Sequence, residues 1–315
     1  MLFRSYLDAL KNLRLRADQI DISTANGFEL TIRGNWYQTI LFEVPLLAII
    51  NEIYFRHTQP DAPTRDPAGQ DRLREKIALL RDNPHPKINL IEFGTRRRYS
   101  REWQRTVTET LKKGAAHALI GTSNVLACKD LGLKPYGTMA HEYLQACQVF
   151  APLPEFQRYA LETWMQEYRG DLGIALSDVV GMTAFLGDFD KLFCKAYDGA
   201  RHDSGDPKEW GDALIAHYKK MGVDPRVKSG VFSDGLDIPT VLDLVRYFDG
   251  RLHTMYGVGT NLTNDFSFKA LNIVIKMTQC NGRPVAKLSD SPGKTMCKDE
   301  VYLAYLREAF GIVAA

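Results

Sequence analysis

Residues 199–261, GARHDSGDPKEWGDALIAHYKKMGVDPRVKSGVFSDGLDIPTVLDLVRYFDGRLHTMYGVGTN, decide the fold class. Three short β-type runs, GARHD, GVFSD and LHTMYGVG, alternate with two stretches of helical spacing, DPKEWGDALIAHYKKMG and IPTVLDLVRYFDG. Strands separated in this way pair in parallel, because a parallel neighbour is reached only through a crossover. The rhythm continues outward from this stretch. INLIEF, HALIG, KPYG and LGIALS precede it, LNIVIKM follows, and SREWQRTVTETLKK and SNVLACKDLG supply further helices. About eight strand runs in ~200 residues suit a (β/α) barrel better than an open sheet. The chain is therefore read as α/β, with a barrel catalytic domain over 88–315.

Residues 1–87 read as a smaller, partial α+β domain and a connecting segment, onto which the C-terminal segment is free to pack back. DISTANGFELTIRG alternates around Asn26-Gly27, a strong hairpin signal. QTILFEVPLLAIINEIYF is apolar nearly all round, which predicts a buried helix. Residues 58–87 are polar, with the short charged helix QDRLREKIALLRD inside a connection.

Composition narrows the partners. The chain has 315 residues, 45% apolar and 25% charged, with a net charge of +2, so no global field favours nucleic acid. Five cysteines, widely spaced and without a C-x-x-C pair, suit a reducing cytosol and a cytoplasmic location. The longest apolar stretch, ILFEVPLLAII, carries Glu43 and Pro45 and is too short for a bilayer, so no membrane partner is expected.

In a barrel, chemistry collects where strands run into their following loops. Six such exits carry small, hydroxylated or charged residues: Gly94-Thr95-Arg96-Arg97-Arg98, Thr122-Ser123-Asn124, Thr138-Met139-Ala140-His141-Glu142, Ser204-Gly205-Asp206-Pro207, Gly235-Leu236-Asp237 and Thr260-Asn261. Arg96, nearest its strand, is the best anion ligand of its three arginines; plain surface charge is the competing reading. Arg201 and Asp203 stand at alternate positions and must face the same side. Asp206 before Pro207 also fits a helix N-cap. The turns holding Ser233, Asp234 and Gly235, and Gly259 and Thr260, can cradle phosphate with backbone N–H groups. His141 beside Glu142 at a strand-to-helix junction fits a carboxylate-oriented imidazole, and no H-x-x-H or H-E-x-x-H spacing supports a protein-bound metal.

Together and in this order, EFGTRRRYSRE, GTSNVLA, GTMAHE, GIALSDV, RHDSGDP, VFSDGLD, GVGTNLTND and PVAKLSDSPGK closely resemble nicotinate phosphoribosyltransferases of the bacterial type, from about Phe3 to about Phe310. The resemblance implies an irregular (β/α) barrel of phosphoribosyltransferase type II. It implies an ATP-coupled, ligase-type enzyme that transfers the 5-phosphoribosyl group of 5-phosphoribosyl 1-diphosphate to nicotinate. Nicotinate mononucleotide and diphosphate are the products, in NAD salvage. His141 would be the phosphohistidine, with Glu142 and Asp203 in the catalytic group. Thr138, Arg201, Arg96 and Ser123 would hold nicotinate. Thr260, Gly259, Ser204, Asp206, Ser233, Asp234 and Gly235 would hold the sugar and its phosphates, with Mg2+ arriving on those phosphates. An aspartate stands at the Ser123 position in nicotinamide-using relatives, so serine favours the acid. The resemblance further implies a homodimer and an N-terminal segment, ahead of the Tyr6–Leu10 region, that this sequence does not include. A nicotinamide phosphoribosyltransferase, or a truncated nucleotide-binding chain with little activity, are the alternative readings.

Overall fold

Alternation of apolar and polar residues in Ile20–Ser23 (β1) and Glu29–Ile32 (β2) produces the expected antiparallel hairpin, with Ile20 opposite Ile32 and Ser23 opposite Glu29. The computed structural model describes residues 4–25, 27–83, 85, 87–288 and 295–312. Asn26 of the expected turn therefore lies outside the described residues, as does the 289–294 part of PVAKLSDSPGK. Gly27 adopts φ +98°, which a glycine accepts without a Cβ penalty.

The helix Glu43–Thr58 differs from its expectation. Only Leu47, Ala48, Asn51 and Phe55 are buried, while Ile49, Ile53 and Tyr54 are exposed. An apolar circumference does not compel burial all round; one stripe meets the barrel and the other is left uncovered. By length and composition the 23 residues Trp36–Thr58 could cross a bilayer. Their polar side chains instead fasten them to the loop after the third strand. Asn51 donates to the Arg96 carbonyl at 3.3 Å, Glu43 pairs with Arg96 at 2.6 Å, and Glu52 pairs with Arg98 at 3.4 Å.

The charged helix, Pro67–Arg81, is more than a connection. Leu73, Ile77 and Leu80 enter the core, and Lys76 donates to the Asn261 carbonyl at 2.6 Å while pairing with Asp265. Its other face thus buttresses the last strand-end loop.

Seven of the expected runs form one parallel sheet: β3 (Leu90–Glu92), β4 (Leu119–Thr122), β5 (Lys134–Pro135), β6 (Ile174–Leu176), β7 (Gly199–His202), β8 (Ser229–Phe232) and β9 (His253–Val258). Their spatial order is β5-β4-β3-β9-β8-β7-β6, a curled half-barrel. The eighth run, LNIVIKM at 271–277, is irregular. Its carbonyls are used elsewhere: Ile273 accepts from Arg97 at 3.2 Å and Met277 from Gln145 at 2.8 Å. A two-residue hairpin, β10 (Gln279–Cys280) and β11 (Arg283–Pro284), follows.

The expected crossover helices form at Arg101–Gly114, Val125–Leu131, Pro207–Lys220 and Ile238–Phe248. Side-chain caps from Ser100, Asn124, Asp206 and Asp237 start them just past the strand ends. Beneath them lies an aromatic core that includes Phe189, Phe193, Tyr218, Phe232, Phe248 and Tyr256. The terminal helix Glu300–Ala309 buries Leu303 and Leu306, and Lys298 just before it reaches Glu29 of the hairpin at 2.8 Å.

Candidate active site

The mouth of the half-barrel is organised by Arg201. Strand alternation puts Arg201 and Asp203 on one side of β7, and their side chains meet at 2.5 Å. The guanidinium donates in two further directions, from Nε to Ser233 Oγ at 2.8 Å and from Nη1 to Thr138 Oγ1 at 2.6 Å. Ser233 donates onward to Asp203 at 3.0 Å. Loops after β5, β7 and β8 are thereby joined. Burial is the largest influence and alone would raise the Asp203 carboxyl, but the positive charges around it, Arg201 first and then His141 and Lys287, together hold the group below its usual value.

His141 opens the helix His141–Phe150, and no side chain caps that helix at Ala140. The imidazole is buried, with Nε2 at 2.8 Å from Asp178 Oδ1 and 3.3 Å from Asp203 Oδ2. Burial pushes the ring below its ordinary pKa, against the pull of Asp178, and so favours the neutral form. The tautomer follows from the partners: a proton on Nε2 faces two carboxylates, which leaves the Nδ1 lone pair free. Among the described residues no hydrogen bond to Nδ1 is found. Asp178 also accepts from Lys287 and, at 3.3 Å, from Ser204. Burial would raise Asp178, yet the hydrogen bond from His141 and the nearby positive charge hold it well below the carboxylate range.

Glu142 does not orient the imidazole. Successive helical residues point about 100° apart, and Glu142 turns instead to the indole N–H of Trp36 at 2.8 Å. Burial, with the nearby Glu43 adding to it, raises its carboxyl to about 7. Lys276, from the irregular run that follows β9, is pushed down to about 8 by burial and by Lys287.

The other expected residues divide between this centre and its margins. Ser204 is buried against Asp178. Asp206 caps its helix by accepting from the Lys208 and Glu209 N–H groups at 2.8 and 2.9 Å, the plainer of its two readings. Arg96 is exposed and paired with Glu43, whereas Arg97 is more deeply placed, within electrostatic range of Asp203 and Asp234. Gly259 and Thr260 open the short helix Thr260–Thr263, and Asn261 ties that turn to the Gly235 and Leu236 carbonyls at 3.3 and 2.9 Å. Ser123 faces Thr95, their hydroxyl oxygens 3.4 Å apart.

Sequence reasoning missed Asp178, Lys287, Lys276 and Glu92. Asp178 was discoverable, since it stands two residues past β6, in phase with Leu176. Lys287 carried no local signal, because its partner lies 109 residues away.

A family model described as the nicotinate phosphoribosyltransferase family matches residues 88–314, and that of the family's N-terminal domain matches 1–51. A nicotinate phosphoribosyltransferase of Burkholderia cenocepacia is 54% identical over 313 residues, covering 98% of this chain and 78% of the relative. One from Acidovorax sp. strain JS42 is 52% identical over 320 residues, covering 98% of this chain and 79% of the relative. The crystal structure of nicotinate phosphoribosyltransferase from Vibrio cholerae superposes with a TM-score of 0.92 at 38% identity, covering 99% of this chain and 77% of the other. That from Porphyromonas gingivalis gives 0.90 at 32% identity, covering 98% and 80%.

Proposed function

The chain belongs to the nicotinate phosphoribosyltransferase family, and on that footing we propose that it makes nicotinate mononucleotide at the expense of ATP, through a phosphohistidine at residue 141. The observation that carries this reading is the held imidazole, with Nε2 fixed by Asp178 and Asp203 and Nδ1 unengaged among the described residues. Such a ring is a nucleophile with its orientation settled in advance. Nδ1 takes the γ-phosphoryl group of ATP as the bond to ADP breaks, and water later hydrolyses the phosphohistidine.

In the transfer itself, the pyridine nitrogen of nicotinate donates its lone pair to the anomeric carbon. The carbon–oxygen bond breaks and its electron pair leaves with the diphosphate. Little general-base work is needed, so positioning and charge stabilisation carry the step. In this reading Arg201 and Thr138 take part in gripping the nicotinate carboxylate, and Arg97 and Lys276 add positive charge near Asp203. A phosphoryl group on His141 adds strong acceptors beside Lys287 and Lys276.

Magnesium suits the oxygen donors here, since carboxylate oxygens of Asp178 and Asp203 lie within 4.8 Å of each other. Asp203 Oδ2, whose only contact among the described residues is the longer one to His141, is the oxygen best able to turn to an ion carried by the substrate phosphates. The ion would neutralise charge on the departing diphosphate. The exposed face of Ile49, Ile53 and Tyr54 supports assembly as a homodimer, and the five free cysteines suit the cytoplasm.

The deciding experiment follows nicotinate mononucleotide formation by this chain with and without ATP, beside His141→Ala, with nicotinamide as a control substrate. Wild-type protein should gain one acid-labile phosphoryl group from ATP and turn over faster with it, and His141→Ala should lose both properties. Phosphorylation of the alanine variant, or rates indifferent to ATP, would overturn the phosphohistidine. Preference for nicotinamide would overturn the choice of base.

A further inference from the structure

Behind the half-buried hydroxyls of Thr95 and Ser123 sits a carboxylate to which the mechanism gives no role. Glu92, the last residue of β3, is fully buried and accepts four hydrogen bonds. Oε1 takes the Gly94 N–H at 2.5 Å and the Gln104 amide at 3.2 Å. Oε2 takes the same amide at 3.0 Å and the Thr122 hydroxyl at 2.5 Å. Thr122 ends β4, so one side chain fastens together the two strand exits that lead to Thr95 and Ser123.

The polarity of this network is determined bond by bond. Asn124 Oδ1 accepts from the N–H groups of Leu126 and Ala127, both at 3.1 Å, so its amide nitrogen must be the atom 3.0 Å from Gln104 Oε1. Arg98, which can only donate, reaches the same oxygen at 3.2 Å. Gln104 Nε2 is therefore the end that faces Glu92 and Thr95 Oγ1, the latter at 2.8 Å. Thr95 accepts from Gln104, and its own proton is directed away from Gln104. Ser123 Oγ, at 3.4 Å, is too distant for a good O–H···O bond. Both hydroxyls are thus available as donors to something between or beside them.

We propose that Glu92, acting through Gln104, is a positioning residue that sets the Thr95 and Ser123 hydroxyls as a pair of donors for the two oxygens of the substrate carboxylate. This rests on nicotinate being the substrate, with its carboxylate, which has about four lone-pair sites, shared between this pair and the Arg201 and Thr138 side chains. A carboxylate offers an acceptor to each hydroxyl, whereas a carboxamide offers one oxygen and turns a donor toward the other. The pair therefore contributes to discrimination between acid and amide from a carboxylate that never touches the ligand. Burial raises the Glu92 carboxyl, against the hydrogen bonds from Thr122, Gly94 and Gln104; three donor groups aimed at two oxygens suit the ionised form.

Glu92→Gln keeps the shape but introduces an amide that must donate, which reverses the Gln104 orientation or breaks it. The Michaelis constants for nicotinate and nicotinamide are measured for wild type, Glu92→Gln, Thr95→Val and Thr95→Ser, with thermal unfolding of each. The expected result is that Glu92→Gln and Thr95→Val raise the nicotinate constant about tenfold, the worth of one hydrogen bond to a charged group. The turnover number should hold within about twofold, the nicotinamide constant should not rise with it, and Thr95→Ser should restore wild-type values. Equal changes for both substrates, or an unchanged ratio in folded variants, would overturn the proposal. If Glu92→Gln fails to fold, the Thr95→Val and Thr95→Ser pair decides. Wild-type protein that makes no nicotinate mononucleotide refutes the activity instead, and calorimetric binding of the two pyridines then tests the donor pair separately.

Discussion

Replacing Asp178 with asparagine tests the arrangement at its centre. Besides the Ser204 hydroxyl, the carboxylate serves the Nε2 proton of His141 at 2.8 Å and the Lys287 ammonium. The Asp178 and Lys287 side chains are only 6% and 4% exposed, so water cannot substitute for a lost charge. Leaving a buried cation unpaired costs about 3–5 kcal/mol. Asparagine can still offer one oxygen to Lys287, so the lower end applies, and a chain of this length should melt about 5 °C lower. The chemical consequence is separate. An asparagine amide can present either end to Nε2, and the proton on the ring is no longer directed there. Losing a hydrogen bond to a charged group weakens the orientation by about 1.5–3 kcal/mol, or roughly 10- to 100-fold in the rate of phosphoryl transfer to the ring. Rapid-quench labelling with γ-labelled ATP reads that step, and calorimetry reads stability. Adding Lys287→Met to Asp178→Asn removes the orphaned cation and should recover much of the melting temperature without recovering the labelling rate. A double variant that regained both, or a single variant labelled at the wild-type rate, would refute the claim that Asp178 orients the nucleophile.

Other consequences are simpler to state. Burial raises Glu142 to about 7 from an ordinary 4.5, so its preference for the protonated, folded form is full below about 4.5 and lost as pH climbs through about 7. Glu142→Gln keeps the acceptor for Trp36, and its melting temperature should exceed that of wild type at pH 8 and converge with it at low pH; parallel profiles would contradict this. Gly94 has an ordinary φ of −82°, but a Cβ there would come within 2.1 Å of Thr263 Oγ1. Gly94→Ala should therefore cost about 1–3 kcal/mol in denaturant unfolding, and an unchanged midpoint would show that the β3 and β9 loops can part to admit a methyl group. Arg201→Lys exchanges a three-way fork to Ser233, Thr138 and Asp203 for a single ammonium. It should raise the Michaelis constant for nicotinate about 10- to 100-fold, since one to two kcal-scale hydrogen bonds are lost; a normal constant would remove Arg201 from the substrate pocket.

What the sequence disclosed follows the range of each interaction. Strand runs, helix caps and the Asn26-Gly27 hairpin are encoded within a few residues, and seven of the eight strand runs were legible on that basis. LNIVIKM has strand composition, but its carbonyls accept from Arg97 and Gln145, side chains at least 132 residues distant. No local rule reports that competition. The same holds at the site. Arg201 and Asp203 could be placed on one side because strand alternation is local. The partner of His141 could not, and adjacency suggested Glu142 where folding supplied Asp178, 37 residues on.

The open edges of the sheet give these long-range contacts a second role. β5 and β6 end the half-barrel with no ladder between them. Across that gap the chain after β5 carries Thr138 to Arg201 on β7 and His141 to Asp178 past β6. The groups assigned to chemistry are therefore also those that draw the two edges together. In a barrel closed by backbone hydrogen bonds, site residues could be replaced at little structural cost. Here each replacement removes a contact across the gap as well as a reacting or binding group. Variants in the Thr138, His141, Asp178 and Arg201 set should lose activity and stability together, and variants confined to the β8–β9 exits should separate the two. An Arg201→Lys protein as stable as wild type would show that the gap is held by apolar packing behind the mouth, and that the polar contacts only decorate it.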